Sequence, residues 1–209
     1  MARRAVVEAC DHLARTAPAF REIVDRAGPA RLVAARPRAT YFGELVRAIC
    51  FQQLAGPAAR TIHGRVVALF GGADPSPEAL LALPLHALRG AGLSANKAAS
   101  VRDLSERVLV GDVELQRMPG LSVDEVVREL TLVRGIGRWT AEMFLMFQLG
   151  RLDVWPVDDL GVRKGYARLH QLGAMPTAKA LQPLGDELRP YRSVAAWYCW
   201  RAADSGALD

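Results

Sequence analysis

Apolar residues recur along most of this chain at the three-to-four spacing of one helix face, while alternating runs joined by hairpin dipeptides are nearly absent. Phe42, Leu45, Val46, Ile49 and Cys50 predict one face of a helix near 41–53. Ala58, Ile62, Val66 and Phe70 recur every four residues and predict a helix near 57–70. Ala98, Val101, Leu104 and Val108 predict the inward face of a helix near 95–109, with Ser94 placed to cap it. Ser122, with Glu125 three residues on, has the spacing of a capping box at the head of another helix.

Glycine and proline separate these patterns, at Gly56-Pro57, Gly71-Gly72, Pro84, Gly90, Pro119-Gly120, Gly135, Gly137, Gly150, Pro156, Gly173, Pro176, Pro183 and Pro190. The expected architecture is all-α, roughly ten short helices. No internal repeat or low-complexity tract interrupts them.

Composition narrows the function classes only a little. At 209 residues the chain has room for one sizeable domain or two small lobes. Its net charge of +5 and pI near 9.5 suit a polyanionic partner, as they suit many ordinary proteins. Cys10, Cys50 and Cys199 lie far apart with no Cys-x-x-Cys, which supports neither a zinc site nor a cysteine-ligated cluster and fits a reducing cytoplasm. His12, His63, His86 and His170 have no metal-ligand spacing. Neither a signal peptide nor a run of membrane-spanning length is evident.

The chemistry concentrates in residues 132–159. Gly135-Ile136-Gly137 lies between two helical patterns and predicts a tight turn for which glycine supplies left-handed backbone. Bare amides at the start of the following helix, together with its dipole, make a site for an anion such as a DNA phosphate. Ile136 would plug the turn into its own core, and Arg134 and Arg138 flank it. A plain interhelical turn is the competing reading of a bare Gly-x-Gly; the fuller string 132–141, with Thr140 and Ala141, carries the phosphate reading. Asp158 and Asp159 follow about one helix length later, where an N-cap is the commonest use of such a carboxylate.

The hairpin string and the downstream aspartate resemble the helix–hairpin–helix (HhH-GPD) DNA glycosylase superfamily, and within it the 3-methyladenine DNA glycosylase II family, from about residue 41 to the C-terminus. The resemblance implies a two-lobed helical fold with a cleft between the lobes. One lobe would run over about 41–150, including the hairpin 132–138; the other would join 1–40 to 151–209. Some relatives carry an additional N-terminal sheet domain, for which this chain is expected to have no room. Asp159-Leu160-Gly161-Val162 fits the family pattern at the catalytic aspartate, so the resemblance assigns that role to Asp159 and leaves Asp158 as a cap or orienting neighbour. Bifunctional members carry a lysine two residues after the second hairpin glycine; this chain has Trp139 there, which implies a monofunctional enzyme without a Schiff-base lyase step.

Electron-rich indoles suit a flipped, cationic alkylated purine. Trp139 and Trp200 match pocket positions of the family, Trp155 stands at even odds between pocket and core, and Trp197 is expected in the core. Tyr41 and Phe42 are further pocket walls. The stretch 50–56 resembles the family's wedge loop, with Gln53 or Leu54 entering the base stack and Gln52 either joining them or tying helix ends together. Ser94 and Lys97 reach phosphates in this reading, or simply cap and solvate a helix. His63, beside Arg60, is open to DNA or to solvent.

The resulting expectation is a monomeric, cytoplasmic, nucleoid-associated glycosylase that binds double-stranded DNA with damaged bases, engages no membrane and requires no cofactor. A Na+ or K+ held by the carbonyls of Leu132 and Arg134 is a family option. The alternatives are a non-catalytic helix–hairpin–helix module that binds DNA structure or lesions, and a glycosylase of different base specificity.

Overall fold

Six of the described helices begin on a serine, threonine or aspartate whose side chain accepts a hydrogen bond from the backbone three residues on. The computed structural model describes residues 2–32 and 40–204. Its α-helices are α1 (Ala2–Thr16), α2 (Arg21–Ala27), α3 (Tyr41–Phe51), α4 (Gly56–Ala68), α5 (Pro77–Ala82), α6 (Leu85–Gly90), α7 (Ala95–Val110), α8 (Val123–Leu130), α9 (Arg138–Phe147), α10 (Leu160–Leu169), α11 (Ala178–Leu184) and α12 (Arg192–Asp204). Short 3₁₀ turns precede α2, α8 and α12, and no strand occurs among the described residues. No described helix is long and apolar enough to cross a membrane.

The described residues of 36–144 form one compact unit. Its core is built by the predicted faces: Leu45, Val46, Ile49 and Cys50 of α3, and Ala98, Val101 and Leu104 of α7, are almost wholly buried. Leu80, Leu88, Met118 and Leu130 complete it, each worth roughly 1.5–3 kcal/mol when removed from water. The α4 face differs from expectation. Ala59 and Val66 are buried and Ile62 half-buried, whereas Ala58 is exposed, because a 3.6-residue period drifts away from a strict repeat of four. Helix α7 stops at Gly111, whose left-handed φ of 85° is open to glycine without strain.

The described residues of 1–35 and 145–209 form the other unit. Here α10 and α12 cross at backbone contact: a Cβ on Gly165 would lie 1.8 Å from the Cys199 carbonyl oxygen. Val162, Val194, Ala195 and Tyr198 are buried at this crossing, and the Tyr198 hydroxyl donates to the Gly28 carbonyl at 2.9 Å. Beside it runs an aromatic series in which Phe20 meets His170 edge-on, His170 stacks on Tyr166 at 4.0 Å, and Tyr166 meets Trp155 edge-on.

The stretch 151–159 is irregular rather than strand-like, and it is pinned at both ends. At its start Asp153 receives hydrogen bonds from the Arg192 guanidinium at 2.7 and 2.9 Å and from Arg189 at 3.0 Å. Ser193 adds a second clamp, accepting from Val154 N–H and donating to the Arg151 carbonyl. Burial opposes ionisation of Asp153, but the hydrogen bonds and charge of Arg192, reinforced by Arg189, outweigh it and hold the carboxyl below its usual range.

Candidate active site

The hairpin between α8 and α9 rests on one face of α7. Asn96, Ser100 and Asp103, four and three residues apart, share that face. The Arg134 N–H donates to Asp103 at 2.7 Å, and its side chain reaches Asn96 at 3.4 Å. Gly135 has φ +76°, and a Cβ there would meet the Ser100 hydroxyl at 2.6 Å, so both backbone conformation and space demand glycine. Ile136 is 4% exposed and anchors the turn as expected from the pattern. Gly137 has open space where a Cβ would be; what its bareness provides is access to the amides that open α9, ahead of the first turn bond from Ala141 N–H to the Gly137 carbonyl.

Side chains around the hairpin are committed differently from expectation. Arg138 pairs with the buried Glu142 at 2.9 Å, leaving its guanidinium half exposed. Thr140 is 6% exposed, so its side chain is buried. The carbonyls of Val133 and Gly135 accept from Ile136 N–H and from Gln52. Leu132 and Arg134 flank Val133 in the same turn.

The segment after α3 has the geometry of a presented turn. Gln53 takes φ +53°, a left-handed conformation that is strained for a non-glycine residue by about 1 kcal/mol. Next to it Leu54 is 39% exposed. Gln52 points the other way, donating to the Gly135 carbonyl at 2.9 Å. Lys97 does not project outward: its ammonium donates to the carbonyls of Cys50 at 2.8 Å and Gln52 at 2.6 Å. The Ser94 hydroxyl likewise accepts from Lys97 N–H at 3.2 Å, the capping role. His63 meets Phe51 edge-on.

In the other unit Asp159 caps α10. Its Oδ1 accepts two hydrogen bonds, from Val162 N–H at 2.8 Å and from the Trp200 indole N–H at 2.9 Å. Gly161 makes room for this approach, since a Cβ there would lie 2.7 Å from Trp200 Cδ1 and 3.1 Å from Asp159 Oδ1. The Trp200 ring stacks on Phe147 with centroids 6.0 Å apart. Asp158 is exposed and does not take the cap. Leu160, the first residue of α10, is 63% exposed, an apolar side chain in water beside the carboxylate.

The other aromatic residues divide. Trp139 is 47% exposed on the first turn of α9. Trp155 is 5% exposed, spends its N–H on the Leu181 carbonyl at 3.1 Å, and has Gly185 against its ring; it fills the core instead of lining a base pocket. Phe42 is 5% exposed on the inward face of α3 and is a core residue too. Tyr41 meets Phe144 edge-on and, with Pro75, Val113 and Leu115, borders a cavity of about 480 Å³. Sequence reasoning missed the Asp153–Arg192 clamp, whose partners lie 39 residues apart and leave no local signal. It also missed Gly161, which its place two residues after Asp159 could have flagged.

A glycine hairpin that bares the amides opening α9, a left-handed turn at Gln53 and a helix-capping carboxylate held by an indole point to the helix–hairpin–helix class of base-excision protein. Residues 46–190 match the model of the HhH-GPD superfamily base excision DNA repair proteins, and the chain belongs to that superfamily. It is 37% identical over 164 residues to DNA-3-methyladenine glycosylase 1 of Schizosaccharomyces pombe, covering 78% of this chain and 72% of that one. Among solved structures it is similar to a DNA-3-methyladenine glycosidase of Bacillus halodurans, with TM-score 0.83, 38% identity and coverage of 92% and 87%. It is also similar to the S. pombe 3-methyladenine DNA glycosylase Mag1 in complex with abasic DNA, with TM-score 0.82, 34% identity and coverage of 93% and 95%.

Proposed function

We propose that this chain is a monofunctional DNA glycosylase that flips alkylated purines, of the 3-methyladenine and 7-methylguanine type, out of duplex DNA and hydrolyses their N-glycosidic bonds. The observation that carries the reading is the Asp159 carboxylate, held through Oδ1 by Val162 N–H and the Trp200 indole in a chain that belongs to a base-excision superfamily.

The chemistry follows from the substrate. An alkylated purine is already cationic, so its bond to C1′ breaks with the electron pair leaving on the base and little need for a general acid. Positive charge then develops on the sugar, as in other glycoside hydrolysis. The Asp159 carboxylate stabilises that charge and takes the proton of the water that adds to C1′, giving free base and an abasic site. The amides at the head of α9 hold a backbone phosphate without reading sequence. A Na+ or K+ on the Leu132 and Arg134 carbonyls would add positive charge beside that phosphate. Gln53 and Leu54 fill the gap in the stack, and Trp139 offers an electron-rich face to the extruded base. No amine stands at position 139, so the reaction ends at the abasic site, and the protein works as a monomer without a required cofactor.

The test is release of free bases from methylated duplex DNA, identified by mass. Release of methylated purines is the expected result; no release of any alkylated base would overturn the reading in favour of a DNA-binding module.

A further inference from the structure

We propose that Lys97 and Gln52 are positioning residues that couple the presented turn at Gln53-Leu54 to the phosphate-binding hairpin, so that gripping the backbone and entering the base stack are one mechanical event. This inference rests on the glycosylase reading for its consequences in catalysis, but its structural content stands on geometry within one unit.

The coupling is a closed circuit of hydrogen bonds. A helix ends with carbonyls that lack partners, and α3 ends without a glycine in the left-handed position that would tie them up. Lys97 substitutes for that device by donating to the carbonyls of Cys50 and Gln52 at 2.8 and 2.6 Å. Fixing the Gln52 carbonyl fixes the peptide that leads into Gln53, the residue held at φ +53°. The Gln52 side chain then extends 83 residues along the sequence to the Gly135 carbonyl at the apex of the hairpin. The hairpin in turn is seated on α7 through Arg134 N–H to Asp103 and the contact of Gly135 with Ser100. Lys97 stands on that same helix, one residue from Asn96 and three from Ser100. Turn, hairpin and α7 therefore close a loop in which neither functional segment can shift without breaking a charge-assisted bond or the Gln52 link.

The lysine is suited to this by its environment. Burial lowers its pKa, with the neighbouring Cys50 acting weakly the other way, and the ammonium spends its hydrogen-bonding capacity inward on two carbonyls. A lysine gripping a DNA phosphate would instead keep its ammonium free in solvent.

The experiment compares Lys97→Met, Lys97→Arg, Gln52→Leu and the Lys97→Met/Gln52→Leu pair by hydrogen–deuterium exchange and by single-turnover base release, with 2-aminopurine beside the lesion reporting extrusion. Lys97→Met should speed exchange in residues 53–55 and, at a distance, in 134–138. Extrusion amplitude and single-turnover rate should drop about tenfold while affinity for undamaged duplex changes by less than about threefold. Lys97→Arg, which keeps both donors, should restore most of the rate, and the double variant should be no worse than the poorer single one, as expected for one coupled network. Faster exchange confined to 53–55, or additive rate losses in the double variant, would overturn the coupling. If the wild type released no base at all, the glycosylase reading would fail while the exchange measurement still decided the coupling.

Discussion

The indole N–H of Trp200 donates to Oδ1 of Asp159 at 2.9 Å, and Val162 N–H donates to the same oxygen at 2.8 Å. The cap and the proposed catalytic group are thus one carboxylate, oriented by a helix start on one side and by a neighbouring helix on the other. Capping and the proposed catalysis, which compete as readings of an aspartate before a helix, are compatible in this geometry.

Asp159→Asn keeps an acceptor for both donors but removes the negative charge. Base release from methylated DNA should fall by about 100-fold or more, with duplex affinity and melting temperature little changed. Single-turnover release measured beside binding checks this; undiminished release would remove Asp159 from the mechanism.

Trp200→Phe should preserve stacking on Phe147 and lose the donor, lowering the single-turnover rate roughly tenfold. Gly161→Ala should act alike, because its Cβ would enter the space of Trp200 Cδ1 at 2.7 Å even though alanine is the better helix former. Their combination should cost little more than the worse single change. Full activity in Gly161→Ala would show that the indole contact is dispensable.

With Trp139 in the place of the lyase lysine, borohydride reduction in the presence of abasic duplex DNA should trap no covalent complex. A trapped band on a denaturing gel would reassign the chemistry to an amine such as Lys164, which is exposed on α10.

His170 and Asp153 both contribute to the acid limb of stability. His170 is wedged between Phe20 and Tyr166 with Nε2 buried and without a partner; burial lowers its pKa, while Glu187 pulls weakly the other way. The unfolded chain binds this proton more readily, so its contribution is present above the ordinary value of about 6.5 and is lost as pH falls below it. Asp153, also depressed, contributes above about pH 4 and loses that contribution on further acidification. Urea unfolding of His170→Phe should show a flatter stability profile between about pH 6.5 and 5. An unchanged slope would assign that limb to other groups.

What was legible beforehand was local. Capping sequences at Ser94 and Ser122, the α3 and α7 faces, and the glycine turn around Ile136 are written within a few residues of one another. Partners far apart in the chain were not. Lys97 looked like a phosphate ligand because its two carbonyl acceptors lie more than forty residues earlier. Trp155 stands at even odds between pocket and core in the sequence because the Leu181 carbonyl that occupies its N–H is 26 residues on. Phe42 follows the periodic pattern, which puts it with Leu45, Val46, Ile49 and Cys50 on the buried face, and not the pocket role the resemblance implies; Thr140 is likewise buried, a fact the hairpin string by itself does not carry.

The Gly165–Cys199 crossing has a consequence for how finely the carboxylate is set. Side chains normally act as compressible spacers between helices, so interaxial distance drifts with rotamers and with temperature. Here main chain bears on main chain, and a Cβ would lie 1.8 Å from a carbonyl oxygen. The separation of α10, which carries Asp159, from α12, which carries Trp200, is therefore set by covalent geometry, like two plates closed on a metal shim. Gly165→Ala should accordingly lower stability by about 3 kcal/mol or more and lengthen the indole–carboxylate bond in whatever still folds. Thermal unfolding reads the first effect and residual base release the second.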